Sequence, residues 1–410
     1  MKLVAATYGT EGDTRPIAAL CAALRDAGHE VTLLADGGTL RSARELGVRS
    51  VALAGDIRTA LRPGSDVVST VTRRNGLQST TRALARLAND NTGAWLDQVL
   101  DTAAGCDALI VAGLAAYVGF SAAEKLHLPA LGAGMIPLTA TAAFPSPFLP
   151  PRRLPGRLNR ASYRLVEAVL WRSFRGATNA ARASVGLPPG RKPWAGHPML
   201  YGISPTLLPR PADWPADARL CGQWFRPADE WSPPAALAEF LAAGDAPIYV
   251  GFGSMAGFDQ RALLDVVVTA AAGERVVFAP GWSGADALEL PANFCVVGDV
   301  PHDWLFPRTA VVVHHGGSGT THTAARAGVP SVVLPFAADQ FFWARQLQRL
   351  GTAPAAGGIR RITAAGLARA IAAARTARHR DRAATVGAAM RAEDGLTTAV
   401  DAIHTLLAAR

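Results

Sequence analysis

Short apolar runs alternate with helical patterns along most of this 410-residue chain, and that alternation constrains its fold more than any other feature. The first run, Leu3–Ala6, predicts a buried strand, and a helix is predicted from about Pro16 to Ala27, with Gly28 after it. Proline suits a first helical turn, and glycine suits the position just past a helix end. Strands that alternate with helices are typical of a parallel, doubly wound α/β sheet.

The alternation runs through both halves of the chain. In the first half, a helix is predicted around Leu40–Leu46, and further strands at Val31–Leu34, Val48–Leu53, Asp107–Ala112 and Pro129–Gly132. In the second half, strands are predicted at Ile248–Gly251, Val276–Ala279, Phe294–Val297, Ala310–Val313 and Ser331–Leu334, and helices near Ala364–Arg375 and Leu396–Ala409. We therefore expect two Rossmann-like domains whose strand ends face a cleft.

A proline-rich stretch without helical periodicity separates the two halves and predicts a linker over 209–234. The expected domains are then 1–208 and 235–392, with a final helical segment over 393–410.

The chain is 50% hydrophobic and 18% charged, which excludes a disordered or fibrous protein. No run of 18 apolar residues predicts a membrane-spanning helix, and the N-terminal residues lack the apolar core of a signal peptide. Four scattered cysteines predict neither a disulfide framework nor a zinc ribbon and suit the reduced cytoplasm.

The charge is strongly basic, with 41 Lys and Arg against 32 Asp and Glu and a net charge of +9. Such a balance suits nucleic acid, an anionic membrane surface or an anionic small ligand. Arginines recur over 58–86 and again over 151–176, where apolar residues lie between them. The second stretch predicts a basic amphipathic helix, which either lies on a membrane or packs its apolar side on the core. No recognition motif supports nucleic-acid binding, which the charge alone suggests.

The strongest local motif is HHGGSGTTHTAARAGVP, from His314 to Pro330, where a buried strand ends and a helix begins near Gly319. The exposed amides and positive dipole of a helix start can hold phosphate, and His315 could donate to a phosphate oxygen. The spacing matches neither G-x-G-x-x-G nor a Walker loop, which argues against dehydrogenase and P-loop sites. A tight turn with structural histidines is the alternative. Metal binding by these histidines is disfavoured, because no carboxylate accompanies them.

With DVPHDWLFPRTA before it and LPFAADQFFWARQLQRLG after it, this motif forms a block from Asp299 to Gly351. The block resembles the donor-binding signature of inverting, nucleotide-sugar-dependent glycosyltransferases with the GT-B fold. The resemblance is greatest to the branch of sterol glucosyltransferases and vancomycin-type antibiotic glycosyltransferases, and it is weaker in the N-terminal half. It implies an acceptor-binding first domain, a donor-binding second domain and a last helix that crosses back to the first. It also implies transfer of a hexose from a UDP- or dTDP-sugar with inversion.

The resemblance assigns roles to residues of the second domain. It implies that the donor diphosphate is held by His315, Gly317, Ser318, Gly319 and Thr320, and that Asp339 and Gln340 bind sugar hydroxyls. Val300 would lie along the base, Ser254 and Met255 near the diphosphate, and Trp282 in the cleft. Plant relatives carry a ribose-binding glutamate eight residues after the histidine. This chain has Thr323 there, which leaves the ribose contact and the choice of UDP or dTDP open.

In the first domain, Asp13 is the candidate general base and Thr10 a candidate for orienting the acceptor or phosphate. A free aspartate is a weak base, so Asp13 would need desolvation to take a hydroxyl proton. Helix capping is its structural alternative. Met135, Ile136, Phe144 and Phe148 suggest a hydrophobic acceptor such as a polyketide, terpenoid, sterol or phenol. No D-x-D triplet occurs, so we expect no metal and no cofactor. An epimerase of the same fold and a membrane-surface lipid glycosyltransferase are the alternative functions.

Overall fold

A computed structural model describes residues 1–61, 76–150, 154–190, 196–227, 231–253, 260–281 and 290–409. It contains a seven-stranded sheet in the first half of the chain and a five-stranded sheet in the second. Every pair of neighbouring strands is parallel, and helices connect most of them. The predicted doubly wound α/β architecture is confirmed.

The first sheet has the strand order β3-β2-β1-β4-β5-β6-β7. Its strands are β1 (Lys2–Tyr8), β2 (Glu30–Asp36), β3 (Arg49–Leu53), β4 (Ala108–Gly113), β5 (Ala130–Gly134), β6 (Met199–Tyr201) and β7 (Ala218–Leu220). Its helices are α1 (Glu11–Asp26), α2 (Arg41–Glu45), α3 (Ile57–Leu61), α4 (Gly76–Ala103), α5 (Ala116–Leu126) and α6 (Gly156–Ser184). Strand β7 lies inside the stretch predicted as linker, so the first sheet extends further along the chain than residue 208.

Helix α1 begins at Glu11, five residues before the predicted start at Pro16. The chain turns into the helix at Thr10, the N-cap residue, whose backbone N–H donates to the Asp13 carboxylate at 2.8 Å. A side chain that accepts from the N-cap amide fixes a helix start. Pro16 therefore lies inside the helix, in its second turn, where its missing N–H removes one intrahelical hydrogen bond.

The second sheet has the order β10-β9-β8-β11-β12. Its strands are β8 (Ile248–Gly251), β9 (Val276–Ala279), β10 (Phe294–Val296), β11 (Val311–His314) and β12 (Ser331–Val333). Its helices are α7 (Ala235–Ala242), α8 (Gln260–Ala270), α9 (His302–Leu305), α10 (Ser318–Ala327), α11 (Gln340–Leu350), α12 (Ala364–Ala374) and α13 (Ala377–Arg391). The central strands β8 and β11 are continuous apolar runs because helices cover both faces of this sheet.

The last helix, α14 (Gly395–Ala408), follows the second domain in sequence but packs on α1 of the first. Its buried residues Val400, Ile403 and Leu406 belong to the same apolar core as Ile17 and Leu20. The chain thus crosses between the two sheets twice, once before α7 and once before α14.

Candidate functional site

In both sheets, the order in which strands are added reverses next to a strand that is followed by predicted site residues. In the first sheet, β2 and β3 lie on one side of β1, and β4 lies on the other side. In the second sheet, β9 and β10 lie on one side of β8, and β11 lies on the other side. Open α/β sheets bind ligands outside the carboxyl ends of their strands at such points. Thr10 and Asp13 follow the end of β1, and His315 follows the end of β11. The topology therefore puts the residues predicted for both substrates where α/β folds bind ligands.

Asp13 is the third residue of α1, and one carboxylate oxygen serves the helix start. Its Oδ2 accepts from the backbone N–H of Thr10 at 2.8 Å and from the Thr10 hydroxyl at 3.3 Å. Gly9 makes room for this arrangement, because a Cβ there would lie 2.2 Å from the same oxygen. The capping alternative thus applies to the Thr10–Asp13 pair, with Thr10 and not Asp13 as the N-cap.

The surroundings of Asp13 change its basicity. Burial raises the pKa of its carboxyl, and the two hydrogen bonds from Thr10 oppose that rise. Removing water from a carboxylate disfavours the charged form, so the group binds a proton more tightly than a free aspartate does. This is the desolvation that a general base at this position needs.

The two histidines at the end of β11 have different environments. His314 is fully buried, and its Nδ1 accepts from the backbone N–H of Gly316 at 3.1 Å. The ring of His315 lies against two glycines: a Cβ on Gly317 would be 2.5 Å from its Nε2, and one on Gly253 would be 3.2 Å from its Cε1. Within the described part of the chain, Nδ1 of His315 is buried without a hydrogen-bond partner. A ligand that accepts a hydrogen bond would satisfy it.

Burial lowers the pKa of His315 to about 4, so its imidazole is neutral at neutral pH. It therefore offers an N–H and not a positive charge to an approaching group. The pKa of His314 is lowered further, to about 3, by burial and by the neighbouring His315 and His302.

Helix α10 begins directly after this pair. Gly317 is its N-cap, and no side chain caps the helix. Among the described residues, a Cβ on Gly319 would meet no atom within 4 Å, so none of them fills the space beside the first turn. The first amides of a helix have no intrahelical acceptor, and this start can offer the N–H groups of Ser318, Gly319 and Thr320 to an anion.

His322, on the same helix, has a structural role. Its Nδ1 donates to the carbonyl of Ser318 at 2.8 Å, and its Nε2 accepts from the backbone N–H of Ser204 at 3.2 Å. Both ring nitrogens are occupied, and the bond to Ser204 joins α10 to the segment after β6. In the described ranges, no group of three or more His, Cys, Asp or Glu side chains is arranged to hold a metal ion.

Asp339 and Gln340 lie where β12 leads into α11. The N–H of the Trp343 indole donates to Asp339 Oδ2 at 2.9 Å, and burial raises the pKa of this carboxyl to about 7. Asp339 occupies the N-cap position, yet its side chain does not cap the helix. The side-chain oxygen of Gln340 accepts from the backbone N–H groups of Phe336 and Ala337 at 2.7 and 2.9 Å. Gln340 therefore shapes the turn that carries Asp339.

Electrostatic interactions connect the two domains across the cleft. The charge of Asp13 in the first domain contributes to the raised pKa of Asp339 in the second. Asp299 lies 3.6 Å from Arg15 and 3.5 Å from Arg41, in two exposed ion pairs. These pairs could not be predicted from the sequence, because no local pattern connects residues so far apart. Val300, next to Asp299, has its side chain in the core, so only its backbone is available to a base.

The predicted acceptor residues follow β5. Met135, Ile136, Phe144 and Phe148 are all half-buried. Phe144 reaches the second domain, where its ring lies 5.1 Å from that of Phe342. Asp213 holds the segment in place by accepting from the Thr141 hydroxyl and the Ala142 N–H at 2.6 and 2.8 Å.

A separate cavity of about 800 Å³ lies between α5 and α6. Tyr117, Phe120, Trp171 and Arg182 are among its lining residues, and the four predicted acceptor residues are not. The cavity is therefore distinct from the segment predicted to bind the acceptor.

Three predicted residues, Ser254, Met255 and Trp282, lie outside the described residues. Thr323, at the position of the plant glutamate, accepts a hydrogen bond from the Gln223 side-chain amide at 3.1 Å. Its hydroxyl therefore contacts the segment that follows β7. Over the described ranges, no helix is both long and apolar enough to cross a membrane.

Comparison with known proteins agrees with this architecture. Residues 261–405 match the family model of the erythromycin biosynthesis protein CIII-like C-terminal domain. The sterol 3-beta-glucosyltransferase of Aspergillus fumigatus is 30% identical over 433 residues, covering 98% of this chain and 30% of that protein. The corresponding Cryptococcus neoformans protein is 32% identical over 446 residues, covering 98% of this chain and 27% of its own. The chain thus spans less than a third of these relatives.

Solved structures resemble the whole chain. The glycosyltransferase of kitacinnamycin superposes with a TM-score of 0.73 at 21% identity, covering 99% of this chain and 98% of that one. The glycosyltransferase VinC, solved with dTDP, superposes with a TM-score of 0.68 at 18% identity over 100% of both chains. At these identities the likeness establishes the fold.

The architecture and these superpositions establish that the chain has the GT-B fold. Residues 261–405 are similar to the EryCIII-like C-terminal domain, and the chain as a whole is similar to part of the sterol 3-beta-glucosyltransferases.

Proposed function

We propose that this protein transfers a hexose, with inversion, from a UDP- or dTDP-sugar to a hydroxyl of a hydrophobic small molecule. The observation that carries the proposal is the uncapped start of α10 beside His315, whose buried Nδ1 has no hydrogen-bond partner among the described residues. Across the cleft, the charge of Asp13 also acts on the pKa of Asp339. A candidate base on the acceptor side and a candidate sugar ligand on the donor side thus border one space.

In this reaction, the acceptor oxygen attacks the anomeric carbon while its proton passes to the Asp13 carboxylate. The bond from the anomeric carbon to the diphosphate breaks, and the nucleoside diphosphate leaves with the electron pair. The open start of α10 and the N–H of His315 stabilise the charge on the leaving group. The Asp339 carboxyl accepts from sugar hydroxyls and orients the ring.

The hydrophobic acceptor is supported by Phe144 and its neighbours Met135, Ile136 and Phe148 beside the cleft. Sterols, terpenoids, polyketides and phenols share the required chemistry, an apolar body with one reactive hydroxyl. A panel of these compounds with UDP-glucose and dTDP-glucose, analysed by mass spectrometry, tests the proposal. Transfer only to polar sugars would reject the acceptor class. If the sugar of the donor changes its configuration when no acceptor is present, the protein is an epimerase and not a transferase.

Two substitutions distinguish the catalytic role of Asp13 as general base from its structural role at the helix start. Asp13→Asn keeps an oxygen that can accept from the Thr10 N–H, whereas Asp13→Ala removes it. Both should lower turnover by about 10²–10⁴-fold, the usual contribution of a general base. Only Asp13→Ala should also lose about 1 kcal/mol of stability with the cap. Both should bind UDP or dTDP as the unaltered protein does. Near-normal turnover of Asp13→Asn would exclude Asp13 as the base.

We also propose that the reaction needs no metal and no cofactor. The neutral His315 and the helix amides supply the electrostatic stabilisation that a divalent ion gives in other transferases. Turnover should persist in excess EDTA. Loss in EDTA with recovery on adding Mg²⁺ would reject this part of the proposal.

A further inference from the structure

Helix α6 carries a stripe of large apolar side chains that are about half exposed. Leu158, Leu165 and Val169 are 48%, 59% and 58% exposed. Their spacing of seven and four residues puts them on one side of the helix. The other large hydrophobic residues most exposed in the described ranges, Met1 and Val296, lie elsewhere in the fold. We call Leu158, Leu165 and Val169 the exposed stripe.

Arginines border the exposed stripe. Arg157, Arg164 and Arg175 form a row on the adjacent side of α6, and Arg172 lies seven residues after Leu165, in line with the stripe itself. All four are exposed, and within the described ranges none of them forms an ion pair. Other arginines of α6 are neutralised, since Arg160 pairs with Asp213 and Arg182 with Glu124. The unpaired charge of the helix is therefore concentrated beside its exposed apolar residues.

The opposite side of α6 already has a partner. Tyr163 and Phe174 are buried there, and α6 packs against α4 and α5. The alternative predicted from sequence, apolar side inward and basic side to water, thus describes only part of the helix. A second apolar surface remains among the arginines.

We propose that the exposed stripe and its arginine row dock this protein on an anionic lipid surface. Helices that lie in a membrane interface insert aliphatic side chains among the lipids while arginines contact phosphate groups. A second copy of this chain fits the surface poorly. Three aliphatic side chains offer far less than the roughly 800 Å² per partner of a stable dimer, and the arginine rows would repel each other.

Docking would bring the acceptor segment close to the membrane. Near the start of α6, the Asn159 amide donates to the Ala142 carbonyl and the Ser162 hydroxyl accepts from the Ser146 N–H, each at 2.8 Å. The segment that carries Phe144 is therefore fixed to the helix that carries the exposed stripe. If the proposed function holds, an apolar acceptor could pass from the lipid to the cleft without crossing bulk water.

Co-sedimentation with vesicles tests the docking itself. The unaltered protein should bind vesicles of equimolar phosphatidylcholine and phosphatidylglycerol, bind pure phosphatidylcholine much less, and be released by high salt. L165Q/V169Q and R164Q/R175Q should each weaken binding by about ten-fold. V296Q and R378Q/R380Q, which change exposed residues elsewhere, should bind as the unaltered protein does. Circular dichroism melts establish that each variant is folded.

Three outcomes would overturn the proposal: no binding to anionic vesicles, equal binding by L165Q/V169Q, or a dimer in light scattering that L165Q/V169Q converts to monomer. Turnover of a water-soluble phenol is measured in parallel. Vesicle binding without any sugar transfer would reject the proposed function and keep the docking. Sugar transfer without vesicle binding would keep the proposed function and reject the docking.

Discussion

The charge of Asp13 raises the pKa of Asp339 across the cleft, although burial is the larger cause of that rise to about 7. An ionised Asp339 accepts from sugar hydroxyls better than a protonated one, so donor affinity should increase with pH around 7. In Asp13→Asn, the midpoint of this increase should shift to lower pH, because the neighbouring charge is gone. Calorimetric titration with the nucleotide sugar that binds measures the midpoint. Asp265→Asn, an exposed change on α8, is the control, and a midpoint common to both variants would contradict the coupling.

Gly9→Ala should reduce turnover with little effect on nucleotide affinity. The new Cβ would lie 2.2 Å from Asp13 Oδ2, so the carboxylate must move. A displacement of about 1 Å at a reacting group can cost about 10²-fold in rate. Gly12→Ala is the matched control in the same turn, because its Cβ would have only an ordinary contact, 3.6 Å from the Thr10 hydroxyl. Equal turnover in the two variants would show that the position of Asp13 is unimportant.

Trp343→Phe should raise the KM for the donor in a way that higher pH reverses. The indole N–H donates to Asp339 and lowers its pKa, so its loss moves that pKa further above about 7. More of the carboxyl is then protonated at neutral pH, and donor affinity should recover as the pH is raised. Trp95→Phe also removes a buried indole, one that donates to the Ala54 carbonyl. It should lose stability without the pH-dependent change in KM. A KM increase in Trp343→Phe that is independent of pH would indicate a packing effect alone.

Mild acid should destabilise the second domain. Burial lowers the pKa values of His302, His315 and His322 to about 4 and that of His314 to about 3, against an ordinary 6.5. Between these values the unfolded chain binds more protons than the folded one, so stability falls as the pH drops from about 6.5 to 4. The raised pKa of Asp339 makes the folded state bind its proton more tightly and so opposes this loss of stability. It is one group against the four histidines.

Thermal melts at stepped pH measure this loss. His379→Gln, a change at a half-buried histidine on α13, should leave the pH dependence unaltered. His314→Gln should make it less steep. A melting temperature constant from about pH 6.5 to 4 would contradict the prediction.

The sequence predicted the central strands well, and it failed where contacts are distant or patterns short. Strands β8 and β9 were predicted residue for residue, because each is a continuous apolar run. Strand β7 was missed because its three residues include Arg219 among proline-rich neighbours. The start of α1 was misplaced because Pro16 is the more familiar signal, whereas the start depends on the Thr10–Asp13 pair.

The site was predictable in part for the same reason. Strand ends can be read from sequence, so residues at the ends of β1 and β11 were identified together with the loops that carry them. Their partners come from other elements. The indole bond to Asp339 is one helical turn away and could have been inferred from the spacing of Trp343. The contacts of Asp299 with Arg15 and Arg41, and of Thr323 with Gln223, depend on how the domains meet, which no local pattern contains.

The packing of α14 on α1 also constrains the order in which the chain can fold. Because Val400, Ile403 and Leu406 complete the core around Ile17 and Leu20, the first domain stays unfinished until α14, which follows the second domain in the chain, has also been synthesised. The second domain can form its sheet while the first still exposes an apolar groove beside α1. During synthesis that groove is a natural target for chaperones, and the domain made first is the one completed last.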